Sequence, residues 1–199
     1  MSYPVSITVE PTLDNRDRLT TAFRAVLAIP HAILVGPTYW SSRTGSVGLI
    51  GAAAYVMAIV SWFTLVITGE HIQGIREFSR YYLRWRARAV AYMALFVDTY
   101  PPFGDAVYPV SVEVLDPTGP RDRASIALRL LLAIPQLVLL AFLLVAWLVT
   151  SVIAWCAILF THAYPPSLYP FGLGVMRWSI RVEAYLLLLV DEYPPFTLE

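Results

Sequence analysis

Apolar and polar positions alternate near the start of the chain and again near its middle. A period of two predicts half-buried β-strands. We expect the two strands to pair into a small sheet on the cytoplasmic face of a membrane, where open sheet edges are wetted. The apolar positions of the two stretches are Val5, Ile7 and Val9, and Val110, Val112 and Val114.

Long apolar runs follow both strands. In the first half, residues 25–39 and 47–68 are separated by a polar turn at 41–46, which predicts a transmembrane helical hairpin. The second of these runs is long enough to span about 30 Å of hydrocarbon. In the second half the apolar run is almost unbroken. It fits either one tilted span over 130–160 or a tight hairpin of 121–141 and 145–162.

The distribution of arginine favours hairpins in both halves. They would leave thirteen of the fourteen Arg on one side of the membrane and only Arg43 on the other, as the positive-inside rule favours. A single span in the second half would instead place Arg177 and Arg181 outside. We therefore predict a multi-pass protein of the plasma membrane with both termini in the cytoplasm.

A third helix is predicted at the end of each half, over 72–97 and 168–190. Its front part is polar, and its apolar part is too short to cross a membrane. We interpret it as an amphipathic helix in the cytoplasmic interface, with tryptophan at headgroup depth. It could dock anionic lipid or a partner, or its arginines could merely fix the topology. The candidate docking residues are Arg76, Arg80, Arg84, Arg88, Trp85, Arg177, Trp178 and Arg181.

The two halves are copies of one module. Residues 84–103 and 177–196 are identical at 12 of 20 positions, and residues 3–30 and 108–135 at 14 of 28. The first half carries 12 extra residues between these blocks. The pattern predicts an all-α membrane protein of two tandem repeats, each with a hairpin, an interfacial helix and a short strand. The repeats are residues 1–104 and 105–199.

Charges retained in both copies predict one ion pair per repeat. Arg24 and Arg129 lie inside apolar runs, and Asp98 and Asp191 follow apolar runs. A charge at such depth is costly unless it is paired or snorkels to the interface. We predict that Arg24 pairs with Asp98 and that Arg129 pairs with Asp191, whereas Arg121 is more exposed. An ion or proton path is the alternative.

Composition limits the possible chemistry. The chain is 58% hydrophobic and 14% charged, with zero net charge and a mean hydropathy of +0.63, which indicates a bilayer environment and no nucleic-acid partner. Cys156 has no second cysteine to pair with. The three histidines, His31, His71 and His162, do not recur between the repeats, so no metal site is predicted. We find no catalytic or phosphate-binding motif and expect neither an enzyme nor a cofactor.

Several motifs occur in both halves. They are Leu-Ala-Ile-Pro at 27–30 and 132–135, a Trp near the end of the second helix at 62 and 155, and Asp-x-Tyr-Pro-Pro-Phe at 98–103 and 191–196. A further motif, Arg-Trp-x-x-Arg-Val-x-Ala-Tyr, is complete at 177–185, whereas in the first half Ala89 replaces its Val. Together they resemble a bacterial membrane family catalogued as domain of unknown function 4389. The resemblance covers nearly the whole chain as two copies. It implies a small multi-pass membrane protein and supplies no activity, ligand or catalytic residue.

Two functions remain open from the sequence. The first is a non-catalytic scaffold or accessory subunit that contacts membrane lipids and other membrane protein subunits. The second is a module that binds or transports a lipid or a small apolar molecule at the interface of the repeats. Small residues on one helix face would allow close helix approach or leave a lipid groove. They are Gly48, Gly51, Ala52, Ala53 and Ala54.

Overall fold

The computed structural model describes residues 3–37, 47–104, 106–117, 119 and 121–199, and these residues are mostly helical. The predicted polar turn at 41–46, with Arg43, lies outside the described residues. The first repeat contains β1 (Val5–Val9), α1 (Arg18–Ala22), α2 (Arg24–Leu27), α3 (Ile29–Val35), α4 (Leu49–Thr68) and α5 (Gln73–Met93). The second repeat contains β2 (Val110–Val114), α6 (Arg123–Ala127), α7 (Arg129–Thr161) and α8 (Tyr169–Leu186).

Helix α7 is continuous over 33 residues, so the predicted tight hairpin in the second half is wrong. Pro135 lies inside the helix without ending it. Within the described residues, α4 and α7 are the helices that are long and apolar enough to cross a membrane. The buried residues of α7 recur at steps of three and four along most of its length, so a single stripe packs inward. They are Arg129, Ala133, Gln136, Leu140, Trp147, Ser151, Ala154 and Ile158.

Helices α7 and α8 pack in opposite directions. Gln136, near the start of α7, accepts a hydrogen bond from Trp178 in the middle of α8. Trp147, two to three turns later in α7, lies against Gly172 near the start of α8. Helix α8, the third helix of the second repeat, therefore folds back along α7.

The first repeat follows the same path. His31 in α3 accepts a hydrogen bond from Trp85 of α5, and Gly51 in α4 lies against Tyr82, one turn closer to the start of α5. Helices α3 and α4 therefore run in the same direction along α5, and they correspond to successive parts of α7. A hairpin would reverse that direction, so the hairpin predicted in this half is also wrong. The 12 extra residues are an insertion into one helical path.

Two glycines allow the backbone at the two ends of this insertion to approach closely. Gly36 and Gly48 have φ of 83° and 74°, a region that favours glycine. A Cβ on Gly48 would lie 2.4 Å from the backbone nitrogen of Gly36, so there is no room for a side chain. The chain leaves the helical path and rejoins it at nearly the same point.

The two long helical paths lie side by side in opposite directions. The indole N–H of Trp155 donates to the Thr21 carbonyl at 2.9 Å, and that of Trp62 donates to the Ile126 carbonyl at 2.9 Å. The first helix of each repeat thus packs on the far end of the other repeat's long path. As a result, the retained buried arginines of the two repeats lie at opposite ends of the helix pair. Arg24 and Arg129 are therefore not at the same end of the pair, which the predicted hairpins required.

The predicted pairing of the two strands is confirmed. β1 and β2 are antiparallel, and Ile7 pairs with Val112 at the centre of a two-stranded sheet. The inner face packs on α5 and α8, which in turn pack on the long helices, so the described residues form three layers. The outer face of the sheet exposes polar residues. They are Ser6, Thr8, Ser111 and Glu113.

Candidate functional site

An Arg–Asp cluster stands at the end of α5 in the first repeat. Arg24 donates to Asp98 at 2.6 Å and to the Val97 carbonyl at 2.8 Å. Arg16 donates to the other oxygen of Asp98 at 2.9 Å. The structure thus brings together the predicted pair and adds a second guanidinium, which is itself only 1% exposed. The cluster thus joins α2, which carries Arg24, to the end of α5.

The second repeat builds the same cluster. Arg129 lies 3.0 Å from Asp191, and Arg121 donates to the same carboxylate at 2.8 Å through its Nε. The expectation that Arg121 is a more exposed residue is wrong, because its side chain is 7% exposed. The retained Arg-Asp-Arg strings at 16–18 and 121–123 were the available signal for both additional arginines.

The two guanidinium groups control the ionisation of the second carboxylate. Burial alone would raise the pKa of Asp191, but hydrogen bonds and charge from Arg121 and Arg129 lower it below its ordinary value of 3.8. The folded protein therefore favours the ionised carboxylate. This group contributes stability above its ordinary pKa and loses it as pH falls.

A tight turn after each third helix positions the carboxylates. Leu95 and Leu188 occupy equivalent positions with φ of 66° and 62°. In each turn a backbone N–H donates to the carbonyl five residues earlier, from Phe96 to Ala91 at 3.0 Å and from Leu189 to Ala184 at 3.0 Å. This hydrogen bonding ends the helix as in a Schellman motif. The next residues then supply the carbonyl and the carboxylate that bind the buried arginines.

The third helices, α5 and α8, form the middle layer of the fold, and their predicted position in the membrane interface stays a prediction. Trp85 and Trp178 are each 6% exposed, because both pack inside the protein. The indole N–H of Trp85 donates to His31 at 3.1 Å, and that of Trp178 donates to Gln136 at 2.6 Å. The two tryptophans therefore join α5 and α8 to the long helical paths, and their depth in a membrane stays untested.

The Tyr-Pro-Pro-Phe corners pack over these contacts. Phe103 stacks on His31 with ring centroids 4.6 Å apart. In the second repeat, the Gln136 amide donates to the Pro194 carbonyl at 2.6 Å. Gln136 thus joins the Trp178 ring to the corner, and His31 occupies the equivalent position. The exposed edges of the corners remain accessible, with Phe103 58% and Phe196 51% exposed.

The predicted docking arginines contact the protein itself. Arg76 and Arg80 both pair with Asp116, and Arg88 donates to the Gly104 carbonyl at 2.7 Å. In the second repeat Arg177 donates to the Ile7 carbonyl of β1 at 3.2 Å. Arg181 lies over the Tyr3 ring at 5.7 Å, and Arg84 also has an interaction partner. Docking of lipid or a partner to this stripe stays a prediction.

A buried polar network between the repeats was missed from the sequence. Arg86 donates to Glu183 at 2.6 Å, and the hydroxyl of Tyr82 donates to the same carboxylate at 2.8 Å. Tyr55 adds a longer hydrogen bond of 3.3 Å to Glu183, and Arg86 also donates to the Val35 carbonyl at 2.5 Å. The network links α3, α4 and α5 of one repeat to α8 of the other. The repeat comparison hid it, because the equivalents of these four side chains are apolar or uncharged. They are Ser179, Val90, Val175 and Leu148.

Two grooves lie between the repeats at equivalent positions. The first is bounded by α2 and α3 on one side and by α7 on the other, and it has a volume of 780 Å³. We call it the large groove. Among the described residues, its lining is almost entirely apolar, and Arg24 is the charged residue in it. The lining includes Ala25, Ala28, Ala32, Phe142, Leu148 and Trp155.

The second groove lies between α4 and the start of α7, and its volume is 260 Å³. We call it the small groove. It is lined by Arg129 and Trp62, the equivalents of Arg24 and Trp155. Two larger side chains fill it. Leu130 stands where the large groove has Ala25, and Tyr55 stands where it has Leu148.

The described residues contain no group of three His, Cys, Asp or Glu side chains that could hold a metal ion. His31, His71 and His162 lie in different parts of the fold. Cys156 is exposed on α7.

A protein-family model described as Domain of unknown function (DUF4389) matches residues 45–104 and 123–197. The two matched segments fall in the two repeats. The second segment includes the whole of α7, whereas the first begins only just before α4, so the insertion separates Arg24 from the matched part. No curated protein and no solved structure matches the chain.

Proposed function

We propose that this chain, which belongs to the family described as Domain of unknown function (DUF4389), is a non-catalytic membrane protein that holds a lipid chain or another small apolar molecule between its repeats. The observation that carries the proposal is the difference between the two grooves. The large groove, at 780 Å³, lies within the range of about 300–1,000 Å³ typical of small-molecule sites. The small groove lies below that range.

The lining favours an amphiphile. The large groove offers apolar side chains along its length and the buried guanidinium of Arg24 at one end. The Nε of Arg24 is buried and has no hydrogen-bond partner among the described residues. A small movement of this side chain toward the groove would let it donate to an oxygen of a bound headgroup. A hydrocarbon chain would then lie against Ala28 and Ala32, where small side chains leave the space.

The proposal is tested by filling the large groove with larger side chains. The double change Ala25→Leu and Leu148→Tyr installs the side chains that occupy the small groove. We expect it to lower the amount of lipid that co-purifies in mild detergent by about tenfold, equivalent to about 1.4 kcal/mol of lost binding. Lipid per protein is measured by mass spectrometry of the extracted sample and of the intact native complex.

The matched control is Val149→Tyr, which adds the same ring on α7 outside the groove. It should leave the bound lipid unchanged. Equal lipid content in the double variant and the unchanged chain would contradict the proposal. So would equal loss in the double variant and the control.

A scaffold or accessory subunit is the second candidate function. The exposed aromatic edges of Phe103 and Phe196 favour it, because two equivalent exposed aromatics are suited to contact other membrane subunits. Cross-linking from photoreactive residues at these two positions in a native membrane tests it. Products of one size that contain a second protein are expected, and cross-links to lipid alone would contradict it.

For location we keep the bacterial plasma membrane, with both termini on the cytoplasmic side. The exposed apolar surface of α4 and α7 supports a membrane environment. Fractionation of bacterial cells that produce the chain should recover it with the inner membrane after an alkaline wash. Recovery in the wash would count against this location.

A further inference from the structure

In the described part of the chain, α4 and α7 form one face of uncharged apolar helix surface. α4 contains no charged residue, and the one charged residue of α7, Arg129, is buried. Outside the packed stripe, most of the large side chains of both helices are exposed, and Phe142 and Phe160 are 72% and 80% exposed. Apolar surface of this extent in water would be very costly. This exposed apolar surface is suited to contact with the hydrocarbon of lipid chains.

The opposite face is polar and carries an open sheet. Ser6 and Thr8 of β1, and Ser111 and Glu113 of β2, are exposed on the outer side. The strands lie over the central parts of α5 and α8, since Arg177 in the middle of α8 donates to the carbonyl at the centre of β1. These two helices run along the long helices, so the sheet lies beside the middle of the long helices rather than beyond their ends.

A crossing orientation would place this sheet near the centre of the bilayer. Open sheet edges facing lipid do not occur there, because each unpaired backbone group would cost several kcal/mol. The length of α7 points the same way. Its 33 residues extend about 50 Å, and even a tilt of about 40° would leave roughly 38 Å to fit a hydrocarbon core of about 30 Å.

We propose that the two long helical paths lie flat in one leaflet, with their apolar face in the acyl chains and the sheet in water. The occupant of this face is a lipid leaflet. Exposed guanidinium groups of Arg18 and Arg123 lie at opposite ends of the helix pair. The same two ends carry Trp155, which is 37% exposed, and the half-buried Trp62. Arginine and tryptophan at both ends match the anionic and interfacial level of one leaflet.

This orientation revises the multi-pass prediction and keeps both termini on one side of the membrane. It also does not depend on a ligand in the large groove. A chain with an empty groove would still lie flat, and a crossing chain could still hold a lipid. The orientation and the proposed function are therefore tested by different outcomes.

The first experiment labels single cysteines at the two ends of the helix pair. Asp14→Cys and Glu70→Cys are exposed positions at opposite ends, and each is made in a Cys156→Ser background. A membrane-impermeant maleimide is applied to spheroplasts and to inverted membrane vesicles of a bacterial host, after both variants have been shown to react in detergent. Flat helices predict that both positions react from the same side. Reaction from opposite sides would overturn the proposal.

The second experiment uses the unchanged chain, so it does not depend on how variants fold. Polarised infrared spectroscopy of the protein in oriented bilayers of phosphatidylglycerol and phosphatidylcholine measures the mean helix tilt. Because α5 and α8 run along the long helices, all major helices contribute alike. We expect a mean tilt of about 90° from the bilayer normal. A tilt within about 40° of the normal would establish crossing helices, and failure to bind the bilayers would also overturn the proposal.

Discussion

The two repeats build the same Arg–Asp cluster twice but bury the central Arg–Glu pair only once. Arg24 with Asp98 and Arg129 with Asp191 occupy equivalent positions at the two ends of the helix pair. Arg86 and Glu183 meet between the repeats, and the residues at their equivalent positions, Ser179 and Val90, are uncharged. The repeated clusters thus stabilise each module, whereas the single pair distinguishes one module from the other.

The largest expected effect follows from breaking the unrepeated pair. Glu183→Val installs the residue that the other repeat has at this position and leaves Arg86 as an uncompensated buried charge. We expect a loss of about 3–5 kcal/mol in the free energy of unfolding. Denaturant titration in detergent, followed by circular dichroism, measures it.

The double change with Arg86→Met should recover a large part of this loss, because it removes the remaining charge and keeps an apolar side chain. Glu192→Ala, at an exposed acid, is the control and should have little effect. A loss in Glu183→Val no larger than in that control would show that the pair does not hold the repeats together.

The next effect compares the two repeated clusters. Asp98→Asn and Asp191→Asn each leave two guanidinium groups without a countercharge. We expect both to lower the free energy of unfolding by about 2 kcal/mol, less than for a fully buried charge because each carboxylate is about a quarter exposed. Asp14→Asn is the exposed control. A loss in one cluster alone would break the equivalence of the repeats.

Within the second cluster, the structure predicts that Arg121→Ala and Arg129→Ala have comparable effects. Both side chains are buried and both donate to Asp191, so each change removes one of two hydrogen-bonded partners. We expect each to cost about 1.5–3 kcal/mol, the range for hydrogen bonds to charged groups. Thermal unfolding in the same detergent measures both. A clear loss for Arg129→Ala alone would restore the view that Arg121 is an exposed residue.

A smaller effect concerns pH. Because the pKa of Asp191 is lowered in the folded protein, its contribution is present in full above its ordinary value and is lost as pH falls below about 4. The melting temperature of the unchanged chain should therefore fall more steeply between about pH 5 and pH 2.5 than that of Asp191→Asn. Parallel curves would show that this carboxylate gains nothing from its two arginines.

The smallest effect exchanges equivalent residues. His31→Gln copies Gln136, which accepts the tryptophan N–H and donates to the proline carbonyl of its corner. We expect a change below about 1 kcal/mol, because glutamine can accept the hydrogen bond from Trp85 and can donate to the corner as Gln136 does. His31→Leu keeps the volume without the acceptor and should cost more. An equal cost for Gln and Leu would mean that the hydrogen bond to Trp85 contributes nothing.

The repeat made part of this architecture predictable. Strands, third helices and the partners of Arg24 and Arg129 follow from positions that occur twice. The hairpins were wrong because charge sidedness assumes that apolar helices cross the membrane. No local signal shows that the first helix of one repeat packs on the other repeat's long helix. Comparing the copies could not identify Glu183, because its equivalent is Val90. Arg86 gave a weak signal, since it lies on a different face of α5 from the arginines that recur every four residues.

The register of the two-stranded sheet has a consequence for the origin of the chain. Ile7 pairs with Val112, its own equivalent, and the flanking pairs exchange equivalent positions: Val5 with Val114, and Val9 with Val110. A single module could make the same pairs with a second copy of itself, which is the self-complementary contact of a two-fold homodimer. Fusion of two such genes would keep that interface and free each half to diverge. The Arg86–Glu183 pair has no charged counterpart at the equivalent positions, and larger side chains fill only one of the two equivalent grooves. A homodimer of identical subunits could not encode either difference.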